Sequence, residues 1–270
     1  MNEVKQEPFE IIRFNGTEAT RMEEEIVEEF PLTIILNGEE FATMVCSPTS
    51  MEELIVGFLA SEGIIRLYEE IKNMFIDEAM GFAYVELYRE INQASIEHSK
   101  RFIGSCCGKS RQFYFKSDAK TAKTVTSKIL ISAEQCYNLM KELQLRSEQF
   151  RRTGGVHNAA LATPESLLEV RTDIGRHNAL DKIYGTVLEQ KITLNDKLIV
   201  FSGRISSEVL LKVSKIGVGI LLSKSAPTDL ALNLANELGI TAIGFARENK
   251  MNVYTHPHRI VELDMESYTK

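Results

Sequence analysis

The chain has 270 residues, of which 44% are hydrophobic and 26% charged, a composition typical of one large folded domain or two smaller ones. With 31 basic and 38 acidic residues the formal charge is -7, so unspecific binding to nucleic acid is not expected. Four cysteines are too few for a secreted disulfide scaffold, and no apolar run approaches the roughly 20 residues of a membrane span. Residues 1–30 are rich in glutamate and lack the apolar core of a signal peptide, so we expect a cytoplasmic protein.

A turn signal follows the acidic N-terminal segment. Asn37 and Gly38 accept the positive φ angles of a type I′ turn, and the runs on either side within residues 32–46 are rich in apolar and β-branched side chains. The pattern predicts a β-hairpin whose second strand ends at Cys46, as a small buried residue.

The next segment carries the signals of a helix. Thr49 and Glu52 have the spacing of a capping box, and Gly63 is a typical stop, which predicts a helix over residues 50–62. We expect three further elements before residue 104, namely a shorter helix over 67–75 and strands over 81–87 and 96–103.

Two adjacent thiols, Cys106 and Cys107, follow the last of these strands in a glycine-flanked segment, residues 104–110. Lys109 and Arg111 place positive charge nearby, which favours the nucleophilic thiolate over the thiol. The alternatives are that both are merely small loop residues, or that they form a vicinal disulfide. This segment is the first candidate for chemistry in the chain.

Two other interpretations of the cysteine segment are excluded. Three residues separate Gly104 from Gly108 ahead of Lys109, one fewer than a phosphate-binding P-loop requires. A structural zinc site would need a second closely spaced Cys or His pair, and the chain has none at a suitable spacing.

The second half of the chain begins with a polar linker over residues 111–128. Ser132 and Gln135 then form a capping box ahead of a helix whose apolar stripe includes Cys136, which we expect in the core. From residue 194 predicted strands and helices alternate, with strands over 198–201, 220–222 and 242–245 and helices over 207–216 and 229–238. A last strand is expected over 253–255, and it could pair antiparallel to the others. These elements predict a largely parallel sheet covered by helices.

Ligands of such a sheet bind beyond the carboxyl ends of its strands. Two loops there run into helix N-termini, where free N–H groups favour anions, and their cations would suit a phosphate or pyrophosphate. The candidate residues are Ser202, Gly203, Arg204, Ser223, Lys224 and Ser225. The alternative is that Ser206 and Thr228 simply cap the two helices.

A third strand end offers an aromatic ring, two cations and an amide, which could hold a nucleobase and its phosphates. Its residues are Phe245, Ala246, Arg247, Glu248, Asn249 and Lys250. The same composition is also usual for a solvated turn.

Histidine and asparagine recur as a pair at 157–158 and at 177–178. On a helix that begins near Arg176, His177 and Asp181 would share a face, which suits an oriented imidazole acting as base, acid or hydrogen-bond donor. Buried structural hydrogen bonding is the alternative for each histidine. His256 and His258 could meet a metal ion, but two histidines do not make a site, and we expect none.

Several segments together resemble the formate dehydrogenase accessory sulfurtransferases, the FdhD family. The most specific is Asp-Ile-Gly-Arg-His-Asn-Ala-Leu-Asp-Lys at residues 173–182. The resemblance covers residues 24–263, and its other segments are 31–34, 46–65, 153–160, 202–212 and 224–228.

The resemblance implies a sulfur carrier. Such a protein accepts sulfur from a cysteine desulfurase as a persulfide and delivers it to the molybdenum cofactor, in its bis-molybdopterin guanine dinucleotide form, before the cofactor enters formate dehydrogenase. A homodimer is also implied, as is a C-terminal part similar to the cytidine deaminase fold. We therefore expect an α+β N-terminal domain over 1–125 and an α/β cofactor-binding domain over 126–270.

The family often has two cysteines separated by two residues, followed by glycine, and this chain departs from that pattern. Alignment on Gly108 makes Cys107 the persulfide carrier, leaves Gly104 in place of the first cysteine and makes Cys106 a helper or alternate. The cofactor would occupy the three strand ends named above, together with His177. A non-catalytic chaperone for the molybdenum cofactor is the alternative function, and zinc-dependent deamination is disfavoured because its ligand motifs are absent.

Overall fold

The computed structural model describes residues 8–90, 102–103, 122 and 124–263, and within them three sheets are arranged around a set of helices. The strands are β1 (Phe9–Asn15), β2 (Glu18–Glu24), β3 (Phe30–Leu36), β4 (Glu39–Cys46), β5 (Ile71–Asp77), β6 (Phe82–Leu87), β7 (Phe102–Ile103), β8 (His157–Ala162), β9 (Leu167–Asp173), β10 (Leu198–Phe201), β11 (Ile220–Ser223), β12 (Thr241–Arg247) and β13 (Lys250–Val253). The α-helices are α1 (Met51–Ser61), α2 (Ala133–Arg146), α3 (Glu148–Thr153), α4 (Arg176–Glu189), α5 (Ser207–Ile216) and α6 (Asp229–Leu238).

The two larger sheets are both mixed. A five-stranded sheet has the order β5-β6-β3-β4-β7, and a six-stranded sheet has the order β13-β12-β11-β10-β8-β9. Strands β10, β11 and β12 are parallel to one another, whereas β8, β9 and β13 join by antiparallel pairing. Strands β1 and β2 form a separate hairpin.

Helices separate the two larger sheets. Helix α1 packs on the five-stranded sheet and against α4, while α4, α5 and α6 contribute to the same apolar core as one face of the six-stranded sheet. Helix α2 covers the opposite face of that sheet and forms a second core with it. Both faces of the six-stranded sheet are thus covered by helices.

Most of the expected elements are confirmed. The β3–β4 hairpin turns at Asn37 and Gly38, whose φ angles are 50° and 87°, and Cys46 is buried at its end. Ser132 accepts a hydrogen bond from the backbone N–H of Gln135, so the predicted capping box of α2 is present, and Cys136 lies in the core. The strands and helices expected between residues 198 and 247 also form, with small differences at their ends.

The helix expected over 67–75 is wrong. A 3-10 turn at Tyr68–Glu70 leads directly into β5, which pairs with β6 and stacks Phe75 on Tyr84 at a centroid distance of 6.4 Å. Pairing with a neighbouring strand, and not local periodicity, decides the conformation here. The last strand is antiparallel but lies at 250–253, before the expected residues 253–255.

The capping box expected at Thr49 is also wrong. Helix α1 begins after Ser50, which has a φ angle of 50° and makes no capping hydrogen bond with its side chain. The Thr49 hydroxyl instead lies 3.5 Å from the Lys182 ammonium group, and Glu52 accepts a hydrogen bond from the Tyr68 hydroxyl. Both polar side chains, Thr49 and Glu52, therefore contact residues distant in the chain and do not cap the helix.

The predicted parallel arrangement is confirmed for β10, β11 and β12, but the complete six-stranded sheet is mixed, because three of its five pairings are antiparallel. Strands β8 and β9 were not among the predicted elements, and they extend the parallel core on its β10 side. The similarity to the cytidine deaminase fold and the domain boundary at residue 125 stay predictions.

Helices α1 and α4 cross at two glycines. A Cβ atom on Gly57 would lie 1.8 Å from the Asp181 carbonyl oxygen, and one on Gly185 would lie 1.9 Å from the Glu53 carbonyl oxygen. The backbones of the two helices are therefore in direct contact, with no room for a side chain between them. This contact joins the two sheets through their helices.

A buried ion pair lies beside that crossing. The Lys182 ammonium group is 2.7 Å from the Asp173 carboxylate, and both side chains are fully buried. The remaining carboxylate positions accept hydrogen bonds from the backbone N–H groups of Ser47 and Gly175 and from the Asn178 amide, at 3.1, 2.8 and 2.9 Å. We call these five residues the junction cluster, because it ties the end of β4 to the start of α4.

A second buried carboxylate extends this contact along α4. Asp181 accepts hydrogen bonds from the Ser61 hydroxyl at 2.6 Å and from Lys212 at 2.5 Å, which links α4 to the end of α1 and to α5. Burial raises the pKa of the Asp181 carboxyl above its usual range, against the opposing effect of the Lys212 charge.

The glycine crossing predicts a large cost for a single methyl group. Gly57→Ala or Gly185→Ala should lower the free energy of unfolding by roughly 3 kcal/mol or more, because the helix backbones must separate. Gly154→Ala is the control, since it has a left-handed backbone but open space, and should cost about 1–2 kcal/mol. Urea denaturation measures all three; equal costs would show that the helices are not in contact.

The junction cluster predicts strong coupling between its two charges. Lys182→Met should destabilise the protein by about 3–5 kcal/mol, because it leaves the Asp173 carboxylate buried without its counter-charge. The double variant Asp173→Asn with Lys182→Met should lose much less than the sum of the single variants. Additive losses in a denaturation cycle would contradict a buried ion pair.

Candidate functional site

The four thiols fall into two groups. Cys46 and Cys136 are buried, and burial raises the pKa of each thiol to about 12. Neither is therefore a thiolate near neutral pH, and neither is accessible to a partner. Cys106 and Cys107 lie outside the described residues, as does most of the polar linker over 111–128.

The strand before the cysteine pair has a defined place. Strand β7 pairs in parallel with β4, so that Ile103 lies opposite Met44. Two residues beyond Met44, β4 ends at Cys46, and Ser47 of the junction cluster follows. The chain therefore approaches the cysteine pair from the end of the five-stranded sheet that the junction cluster fixes.

The predicted ligand-binding loops of the six-stranded sheet are held together by short polar contacts. The Ser225 hydroxyl donates a hydrogen bond to the Ser202 carbonyl at 3.0 Å, and the Ser223 hydroxyl donates to the Gly203 carbonyl at 2.7 Å. The backbone N–H of Phe245 donates to the Ser225 carbonyl at 3.2 Å. The carboxyl ends of β10, β11 and β12 thus form one continuous edge, which we call the strand-end edge.

Glycine is required where these loops pack. A Cβ atom on Gly203 would lie 2.8 Å from the Phe201 ring, and one on Gly244 would lie 2.9 Å from the Ser225 carbonyl oxygen. The edge is closely packed below its surface, so its shape is fixed before any ligand arrives.

The third segment of the edge combines an aromatic ring with charge. Phe245 has a left-handed φ angle of 53°, and the Arg247 guanidinium lies 5.7 Å from its ring centroid. Glu248 and Asn249 form the turn between β12 and β13, and Lys250 begins β13. The turn that was the alternative interpretation of this segment is present, Ala246 is buried beneath it, and the predicted binding role stays a prediction.

The helices that leave the edge are capped by their own side chains. The Ser206 and Thr228 hydroxyls accept hydrogen bonds from the N–H groups of Val209 and Ala231, so the capping roles of both residues are confirmed. Arg204 is exposed and Lys224 is partly buried, and within the described residues neither forms an ion pair. These cations remain available to an anion.

Three further residues lie at this edge, none of them among the residues predicted to bind the cofactor. Because β8 runs antiparallel to β10, its first residue, His157, reaches the same edge, and β9 brings Asp173 there as the partner of His157. Arg176 follows at the start of α4, and its Cβ lies 3.5 Å from the position of a Cβ on Gly203. The antiparallel pairing of β8, which the sequence pattern did not reveal, is the reason they were missed.

His157 is partly buried beside two charged groups. Burial and the positive charge of Arg176 both lower the pKa of its imidazole, and the Asp173 carboxylate opposes them more weakly. His157 is thus neutral near pH 7.

His177 and Asp181 have different surroundings although they lie four residues apart on α4. His177 Nε2 is 3.2 Å from the Glu208 carboxylate at the start of α5, whereas Asp181 is buried against Ser61 and Lys212. The predicted role of His177 in cofactor binding stays a prediction.

Two negative findings apply to the described residues. No helix among them is long and apolar enough to cross a membrane. In the same part of the chain, no group of three or more His, Cys, Asp or Glu side chains has an arrangement that could hold a metal ion.

Comparison with known proteins identifies the family. A model of the FdhD/NarQ family matches residues 27–261. Proteins named sulfur carrier protein FdhD are 59% identical in Bacillus subtilis (strain 168), over 94% of this chain and 97% of that protein, and 62% identical in Bacillus pumilus (strain SAFR-032), over 88% and 91%. A crystal structure described as a formate dehydrogenase accessory protein from Desulfotalea psychrophila has a TM-score of 0.76 and 25% identity, over 94% of this chain and 98% of that one. The chain belongs to the FdhD/NarQ family.

Proposed function

We propose that this protein is a sulfur carrier required for formate dehydrogenase activity. It takes sulfur from a cysteine desulfurase as a persulfide on Cys107, with Cys106 as helper or alternate. It then delivers the sulfur to the molybdenum cofactor in its bis-molybdopterin guanine dinucleotide form, before the cofactor enters formate dehydrogenase.

The name of the relatives, sulfur carrier protein FdhD, carries this proposal, because they match nearly the whole chain at up to 62% identity. The thiols supply the physical support. Two of the four cysteines are buried with pKa values raised to about 12, so a sulfur atom carried on cysteine is assigned to Cys106 or Cys107.

The loading step needs only a thiolate and a donor persulfide. The Cys107 thiolate attacks the terminal sulfur of the desulfurase persulfide and forms a new sulfur–sulfur bond. The sulfur–sulfur bond of the donor breaks, and its electron pair leaves with the donor cysteine as a thiolate. Lys109 and Arg111 favour this step by stabilising the attacking anion.

The strand-end edge suits the acceptor, which carries guanine bases and pyrophosphates. Phe245 offers a face for stacking a base, and Arg204, Lys224, Arg247 and Lys250 supply positive charge. We therefore assign the cofactor to this edge, with Ser202, Ser225, Glu248, Asn249 and His177 as its other contacts. The predicted contacts Gly203, Ser223 and Ala246 are buried, so they shape the edge from below.

The proposed partners are a cysteine desulfurase, formate dehydrogenase and a second copy of the chain, all in the cytoplasm. The β1–β2 hairpin supports self-association, because a two-stranded sheet is barely stable alone and this one exposes three large apolar side chains. Phe9, Ile12 and Phe14 are 59%, 60% and 69% exposed.

The carrier role predicts where sulfur is found. After incubation with a cysteine desulfurase and cysteine, the protein should gain the mass of one sulfur atom on the peptide that contains Cys106 and Cys107, as measured by peptide mass spectrometry. Cys107→Ala should lose most of this signal and Cys106→Ala only part of it. Cys46→Ala and Cys136→Ala are the controls and should load normally, because these thiols are buried.

Cellular formate dehydrogenase activity separates the two candidate functions. A sulfur carrier loses this activity when Cys106 and Cys107 are both replaced by alanine. Full activity in that double variant, together with no sulfur on the wild-type protein, would instead identify a non-catalytic chaperone for the cofactor.

Nucleotide binding at the strand-end edge predicts a role for the Phe245 ring. Phe245→Ala should weaken GDP binding by about 1–3 kcal/mol in isothermal titration calorimetry, because a stacked base loses its platform. Phe9→Ala removes an exposed ring from the β1–β2 hairpin, away from the strand-end edge, and serves as the control. Unchanged GDP affinity in Phe245→Ala would place the base elsewhere.

A further inference from the structure

Arg176 has a buried donor without an acceptor. Its Nε–H group is shielded from solvent and makes no hydrogen bond, and no ion pair of this side chain occurs within the described residues. A buried unpaired donor destabilises a protein, so such a group calls for an explanation. By contrast, Lys182 and Lys212 each lie within 2.7 Å of a carboxylate oxygen.

The surroundings of Arg176 lack the groups that would satisfy it. Helix α4 begins after Gly175, with no side-chain cap and no acidic residue in its first turn. Helices α5 and α6, which leave the same edge, have hydroxyl caps and an acidic residue in the first turn, Glu208 and Asp229. The first turn of α4 therefore offers Arg176 no acidic partner, and the nearby Asp173 carboxylate is paired with Lys182.

A second unpaired cation belongs to a residue beside the turn at Ser202 and Gly203. The backbone N–H of Lys224 donates to the Phe201 carbonyl at 3.1 Å, and the Arg176 Cβ lies 3.5 Å from the position of a Cβ on Gly203, so both residues adjoin the turn. The Lys224 side chain is partly buried and has no acidic partner in the described part of the chain. Burial and the Arg176 charge lower the pKa of His157, so the positive charge beside the turn comes from Arg176 and Lys224, together with the exposed Arg204.

We infer that Arg176 and Lys224 bind a pyrophosphate group between them, over the Ser202–Gly203 turn, and that Arg176 is its main ligand. The guanidinium has the planar set of donors that matches two phosphate oxygens, whereas an ammonium group acts as a point charge. Bound phosphate would satisfy the Arg176 Nε–H donor that the protein leaves unpaired. The inference rests on the proposed function and adds Arg176, which was not among the predicted residues, to the pyrophosphate site predicted at Ser202, Gly203 and Lys224.

The test is Arg176→Met, which keeps the apolar length of the side chain and removes its donors. Affinity for inorganic pyrophosphate, measured by calorimetry, should fall by about ten- to a hundredfold, with a similar loss for GDP. The melting temperature without ligand should stay the same or rise, because an unpaired buried donor has gone. Arg66→Met, at an exposed site beyond the end of α1, is the matched control and should bind both probes normally.

Arg176→Lys should recover only part of the affinity, because it restores the charge without the paired donors. Wild-type affinity for pyrophosphate in Arg176→Met would overturn the inference, and so would a wild-type protein that binds neither probe. Sulfur loading on Cys107 is measured in the same variants and does not involve Arg176. Loss of pyrophosphate binding in Arg176→Met with normal sulfur loading would support the pyrophosphate site. Absence of sulfur loading in the wild-type protein would instead contradict the proposed function.

Discussion

The buried ion pair between Asp173 and Lys182 is the interaction on which the rest of the structure depends. Its carboxylate accepts hydrogen bonds from the end of the five-stranded sheet, at Ser47, and from the start of α4, at Gly175 and Asn178. Each remaining carboxylate position is thereby satisfied, which is the condition under which a buried charge is tolerated. One hydrogen-bond network thus fixes the end of β4, the strand that pairs with β7, relative to the start of α4 at the strand-end edge.

The helix crossing makes that arrangement rigid. Because Gly57 and Gly185 bring two backbones into contact, α1 and α4 cannot slide without a clash, and Asp181 adds polar contacts to Ser61 and Lys212 at the same interface. Rigidity here has a functional meaning for a sulfur carrier. In the proposed function the carrier serves two partners, and the rigid helix crossing keeps the strand-end edge, to which we assign the cofactor, in a fixed position relative to the five-stranded sheet.

Charge is distributed unevenly over this frame. The buried Lys182 and the partly buried Lys212 have acidic partners, whereas the partly buried Arg176 and Lys224 at the strand-end edge have none within the described residues. Preorganised donors of this kind bind an anion without first breaking internal contacts, which favours affinity at some loss of stability. The buried thiols, in contrast, are not available to a ligand or partner, since burial raises the pKa of Cys46 and Cys136 and keeps them unreactive.

The sequence by itself determined the elements with strong local signals, which include the Asn37–Gly38 turn, the Ser132 cap and the alternating strands and helices after residue 194. It also pointed to the loops at Ser202 and Ser223, because strand ends in such a sheet meet at one edge. Tertiary structure alone decided that Ile71–Asp77 is a strand and that Thr49 contacts Lys182, since both follow from partners distant in the chain. Tertiary structure also brought His157 and Arg176 to the strand-end edge, through the antiparallel pairing of β8 and β9. The sequence did not predict this placement, because no local residue pattern distinguishes antiparallel from parallel pairing of these strands.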